Sequence, residues 1–210
     1  MKNAFLVLVV LFSFFSCNQD KKTDYISIEK KVEIRATPEK TPKITTIDTL
    51  SYADRGLQYA LNTQAVLGKN LMQAIQENGT LGALSFCNEK AYPLTDSMAV
   101  VYNGNIKRVS DKPRNQSNQA NEQELEYIET FKQIIANKES PNPIVKDSDT
   151  KIDTYYPILT NAMCLQCHGQ PNKSIEPSTL RQLTLLYPND KAIGYNVNQV
   201  RGIWSVTFDK

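Results

Sequence analysis

The stretch "NAMCLQCHGQP", residues 161 to 171, places the chain's single histidine directly after a Cys-x-x-Cys pair. Cysteines three apart share one side of a helical turn, and the next residue points back over that side. Those three residues, Cys164, Cys167 and His168, could hold a haem, a zinc ion or a redox disulfide.

Three occupants compete for the motif. Haem c needs two thiols to add across its vinyl groups and an imidazole for the iron, which the C-x-x-C-H spacing supplies. Structural zinc wants four ligands, and Cys87 would complete the set, but adjacent Cys and His side chains do not aim readily at one small ion. A thioredoxin-like dithiol normally follows an aromatic residue, where this chain has Met163. Haem is the reading preferred.

The N-terminus fits that chemistry, because haem is attached to such motifs outside the cytoplasm. Residues 1–16 read as an export signal, in which Lys2 precedes an apolar run from Ala4 to Phe15. That run is too short for a spanning helix and about right for a signal's apolar segment. Ser16 before Cys17, in "SFFSC", resembles a bacterial lipoprotein signal with lipidation at Cys17. Residues 17–50 are rich in Lys, Thr, Glu and Pro and read as a flexible tether. The chain is therefore expected in the cell envelope, anchored to a membrane by Cys17 and facing the periplasm or the outside. The 24 basic and 22 acidic residues nearly cancel without clustering, so no nucleic-acid partner is expected.

Residues 51–210 read as one α+β domain. Leu57, Leu61, Val66, Leu71 and Ile75 recur near helical spacing between a Ser51 cap and Gly79, predicting one long helix. A shorter helix follows, interrupted before Pro93. "NGNIKRVS" predicts a turn and strand, and "ANEQELEYIETFKQIIANK" a helix with Leu125, Ile128, Phe131 and Ile135 on one face. "KIDTYYPIL" reads as a strand. "GIWSVTF" alternates, with Ile203, Ser205 and Thr207 opposite Trp204, Val206 and Phe208.

With one histidine in the chain, a second axial imidazole is excluded. Cys87, Met72, Met98, Met163, a lysine, water or a gas remain. Once Cys17 is lipidated and Cys164 and Cys167 are bonded, Cys87 is the thiol left over, either a ligand or a small buried hydrophobe.

"RVSDKPRNQSNQANEQELE", "YYPIL", "CLQCHG" and "YPNDKAIGYNVNQVRGIWSV" come in this order over about residues 52 to 208. Together they resemble the bacterial PAS-like single-haem c-type cytochrome domains, found alone, as in cyanobacteria, or ahead of sensor modules. The resemblance implies a PAS-like domain with a small antiparallel sheet flanked by a long N-terminal helix and further helices. It implies one covalent haem c with His168 and Cys87 as axial ligands. Gln116 and Ala120 stand where the family has proline, and Asn198 where it has glycine.

Arg108 and Arg114 fall in the matched segment; their guanidiniums suit haem propionates, or hold the loop through backbone contacts. Tyr155, Tyr156 and Trp204 are expected in the core or the haem wall. A thiolate ligand would favour ferric iron and a low potential, and on reduction Met98 or a gas could replace it. A redox or ligand sensor working through a protein partner is the leading expectation, with a periplasmic electron carrier as its rival. No enzymatic role is expected, since no distal histidine is available as acid-base catalyst.

Overall fold

The computed structural model describes residues 50–210. The signal, the tether and Cys17 lie outside the described residues, apart from Leu50 at the tether's end.

Helix α1, Tyr52–Glu89, starts as its sequence predicts. The Ser51 hydroxyl accepts from the Asp54 N–H at 3.1 Å, satisfying one of the free donors of the first turn. The first helical segment ends at Gly79, as its sequence predicts, and a second segment follows at once within α1. Gly79 takes φ 66° and ψ −173°, outside the helical region, and the chain re-enters a helix along a new direction as far as Glu89. That backbone region is essentially open to glycine alone. Gly79→Ala is therefore expected to cost about 1–3 kcal/mol, read from urea denaturation; an unchanged midpoint would mean the kink is not held by the fold.

Helix α2, Ala91–Val101, begins after Lys90, so the interruption falls before Pro93 as expected, but Pro93 lies inside the first turn of the new helix. There its missing N–H has no intrahelical partner to lose. Strand β1, Asn105–Val109, follows a turn at Asn103 with φ 48°. Helix α3, Glu122–Ala136, carries a complete capping box between Asn121 and Glu124, which satisfies two backbone donors reciprocally. Its buried face is Tyr127, Ile128 and Phe131 with Ile134 and Ile135 against it, whereas Leu125 is exposed, a correction to the expected stripe.

Strand β2, Ile144–Asp147, has no counterpart among the sequence expectations, because it is a short edge strand with only Ile144 half-buried. Strand β3, Lys151–Leu159, the single-turn helix α4, Leu165–His168, helix α5, Pro177–Leu186, and strand β4, Val200–Asp209, complete the chain. The four strands form one antiparallel sheet in the order β1-β4-β3-β2. The α+β class and the small antiparallel sheet are as expected.

Both sheet faces are covered, so the alternation in β4 sorts residues between two cores instead of between core and water. Trp204, Val206 and Phe208 pack with Tyr59, Ala60 and Leu67 of α1, while Ile203 packs with Ile128 and Phe131 of α3. Tyr155 and Tyr156 divide in the same way, and the Tyr156 hydroxyl donates to the Ala53 carbonyl at 2.6 Å. A third cluster, Leu84, Ile175 and Leu183, seats the second part of α1 on α5 and on Cys167. Among the described residues no helix is long and apolar enough to cross a membrane.

Candidate functional site

Cys164 caps α4 and His168 ends it, with the His168 N–H bonded to the Cys164 carbonyl at 2.9 Å. One turn thus presents both sulfurs and the ring. The chain then doubles back: the Tyr195 N–H donates to the His168 carbonyl at 3.0 Å, and the Gly194 N–H to the Gly169 carbonyl at 2.8 Å. Gly169 permits the reversal, because a Cβ there would sit 2.2 Å from Ser174 Oγ and 2.6 Å from the Leu165 carbonyl oxygen.

A cavity of about 490 Å³ opens beside this turn. Cys164, Cys167 and His168 line one side. Cys87 and Arg108 line it too, with Leu67, Leu71, Ile75, Ala83, Leu84 and Phe86 of α1, and Trp204 of β4. The change of direction at Gly79 is what brings Cys87 here, and the Thr80 hydroxyl ties the second part of α1 to Gln166 at 3.3 Å. Met163 also lines the cavity; Met98, on α2, and Met72, exposed on α1, do not.

The histidine is prepared as a ligand. Its Nδ1 lies 2.7 Å from the Ala192 carbonyl oxygen. That oxygen can only accept, so the proton sits on Nδ1 and Nε2 keeps its lone pair. Arg201 Nε stands 3.3 Å from the same Nδ1. With the proton there, Arg201 is a close neighbour and not a donor to the ring. Burial, reinforced by Arg114 and Arg201, holds the His168 pKa well below the usual imidazole value, so the ring is neutral. Burial pushes the Cys167 thiol up to about 11. It also raises Cys87, with Arg108 and Arg114 pulling the other way.

Arg114 works for the loop. Its Nε pairs with Asp190 Oδ2 at 3.0 Å, and its Nη2 donates to the carbonyls of Cys167 and Ala192. Asp190 Oδ1 accepts from the Ala192 N–H at 2.7 Å, so this pair sets the carbonyl that orients His168. Both side chains are 10% exposed. Removing one partner of such a buried pair costs about 3–5 kcal/mol. Asp190→Ala is expected to lose about that much in urea denaturation; a loss under ~1 kcal/mol, as for a surface pair, would show the pair to be dispensable.

Arg108 and Arg201 differ from Arg114. Both are largely buried against the cavity, and neither pairs with a carboxylate among the described residues. Desolvation lowers the pKa of each. Arg201 Nη1 donates to Ser110 Oγ at 2.8 Å, and Arg108 lies 5.8 Å from the Trp204 ring centre. Trp204 Nε1, buried in the same wall, has no acceptor. Arg201 is not among the residues that the sequence singles out, although it stands in the matched "NQVRGIW" stretch; its place beside His168 shows only in the 3.3 Å approach of its Nε to the ring.

The donor set fits haem c: two thiols on one turn, an imidazole with a free Nε2, apolar walls, and two guanidiniums for two carboxylates. It fits zinc poorly, since among the described residues no three His, Cys, Asp or Glu side chains close on one point. Asn198, in place of a glycine, takes φ 61°. Asparagine tolerates that left-handed region better than most non-glycine residues, so the turn before β4 survives the exchange.

No curated protein matches the chain. Among solved structures, the cyanobacterial heme-protein Tll0287 is similar at a TM-score of 0.48 and 20% identity, over 72% of this chain and 95% of that one. The model of the Tll0287-like family matches residues 24–208, most of the length. The chain belongs to the Tll0287-like family.

Proposed function

We propose that the domain binds one covalent haem c through Cys164 and Cys167, with His168 and Cys87 as axial ligands, and serves as a low-potential redox or ligand-sensing module. Its setting is a PAS-like domain of an envelope lipoprotein held by Cys17. Haem would supply one-electron chemistry and an exchangeable axial position. The observation that carries the reading is one cavity where the motif meets Cys87 and two buried guanidiniums without carboxylates. Membership of a family named for Tll0287, itself a heme-protein, accords with it.

Within that site the chain's residues divide the work. Ala192 holds the His168 proton on Nδ1, so Nε2 is aimed and neutral. Arg108 and Arg201 are placed to neutralise two propionates, and Trp204 Nε1 has a donor to give. Arg114 and Asp190 hold the loop.

One observation favours the electron-carrier reading beside the sensor. Leu61, Gln64 and Ala65 of α1 line the cavity yet face solvent, Leu61 being 52% exposed. A cofactor edge there would be within reach of a redox partner.

The test is protein matured in a periplasm with its haem-attachment machinery, followed by intact mass and haem staining after denaturing electrophoresis. One haem of added mass is expected, lost in Cys164→Ala/Cys167→Ala. No added mass in the wild-type protein overturns the proposal. Oxidised and reduced spectra, with and without carbon monoxide, then separate the roles: exchange of Cys87 on reduction marks a sensor, retention a carrier. Cys17→Ala should release the protein from the membrane fraction.

A further inference from the structure

Arg201 sits at an irregularity in the sheet. Val200 pairs with Leu159 and Gly202 with Ile158, so Arg201 is an extra residue without a partner on β3. A bulge of this kind bends its strand and re-aims a side chain, and bulges recur beside functional sites. Here the side chain is a guanidinium that lines the cavity together with His168.

Ser110, the residue after β1, holds Arg201 at both ends. Its hydroxyl accepts from Arg201 Nη1 at 2.8 Å and donates to the Arg201 carbonyl at 2.8 Å. It also accepts from the Lys112 N–H at 3.1 Å, so its one donor and two acceptor sites are all used. The Tyr195 ring, 5.6 Å from the guanidinium carbon, adds a cation–π contact. Arg201 is thus fixed by the chain itself.

The fixed edge faces the proximal histidine. Arg201 Nε stands 3.3 Å from His168 Nδ1, whose proton is given to the Ala192 carbonyl at 2.7 Å. No hydrogen bond is gained there, and what remains is a positive charge against the ring. Arg114 stands close as well, but Asp190 offsets its charge at 3.0 Å. A propionate would need only Arg201 Nη2, which makes no hydrogen bond among the described residues. A carboxylate behind a ligating histidine raises its basicity; a cation there acts in the opposite sense.

We infer that Arg201 is a positioning residue for the proximal ligand: it weakens Nε2 of His168 as an electron donor and raises the reduction potential. The inference rests on the haem reading above. Ferric iron carries one more positive charge than ferrous, and Arg201 opposes it from behind His168, whereas a Cys87 thiolate favours it. The two sides of the site pull against each other.

The experiment has two arms. His168 is the single histidine, so nitrogen-15 labelling of histidine in the haem-free Cys164→Ala/Cys167→Ala protein reports one ring. Arg201→Gln is expected to shift the Nε2 resonance; Arg108→Gln, which removes the cavity's other unpaired cation, is expected to shift it less. In the haem-loaded protein, Arg201→Gln should displace the reduction equilibrium toward ferric iron by about tenfold, ~59 mV for one electron. Near-ultraviolet dichroism reports the fold. Ser110→Ala, which frees Nη1, should move both readings in the same direction, and it decides where Arg201→Gln fails to fold. An unmoved Nε2 resonance, one moved equally by Arg108→Gln, or an unchanged potential overturns the inference and leaves Arg201 as a propionate partner alone. Absence of added haem mass in the wild type overturns the haem reading instead, while the ring resonance still decides whether Arg201 acts on His168.

Discussion

Cys87→Ala is expected to retain its covalent haem and to raise the midpoint potential by at least ~100 mV, a modest part of the ~0.8 V that axial ligands command. The argument begins with charge. In the free chain burial dominates and keeps Cys87 protonated, although Arg108 and Arg114 favour the thiolate. A metal ion deprotonates a coordinating thiol outright, and those two guanidiniums then stabilise the anion. A thiolate stabilises ferric iron, so its loss moves the potential upward. Met163 is the methionine within the cavity, and where it takes the vacated position the rise is larger; Cys87→Ala/Met163→Leu isolates that contribution. Redox titration followed optically checks the result. An unchanged potential and ferric spectrum would assign Cys87 to packing alone.

The haem-free chain should be much less stable than the loaded one. The void to be kept open is about 490 Å³. At about 24 cal/mol per Å³ of cavity, a dry void of that size corresponds to a ceiling of ~12 kcal/mol. That rivals the whole stability of a typical domain, about 5–15 kcal/mol. Water entering along α1 lowers the cost, while Arg108 and Arg201, left without counter-ions, add to it. Cys164→Ala/Cys167→Ala without haem is expected to melt at least ~10 °C below the loaded protein. Limited proteolysis should cut first beside Gly79, while the sheet and α3, which meet in a separate cluster, keep their protection. Equal melting temperatures would mean that the cavity is no cofactor's.

What could be read beforehand divides along a physical line. Local structure was legible: the tight turn through Cys164, Cys167 and His168, the Ser51 cap, the alternation of β4. The positions that depend on tertiary contact were not. Leu125 matched a helical stripe, yet that stripe is turned so that Tyr127 faces the sheet and Leu125 faces water. Strand β2 has no apolar alternation because only its pairing with β3 holds it. Arg114 and Arg201 look alike in sequence; one is committed to Asp190 and two carbonyls, the other is left without an anion, a difference set in the first case by a residue 76 positions away. Asp190 itself carried no signal, since its effect on His168 passes through a backbone carbonyl. Met98 was a reasonable candidate by residue type and is simply on another helix.

The glycine bend in α1 has a consequence for the order of assembly. Cys164, Cys167 and His168 belong to a loop clamped by Arg114 and Asp190, whereas Cys87 arrives on the helical segment beyond Gly79, held by Leu84 and Thr80 and, past its end, by Ala91 in the main core. Swinging that segment away would uncover the two thiols without breaking a strand pairing. If the proposed haem is bound, thioether formation would thus precede closure, with Cys87 docking last.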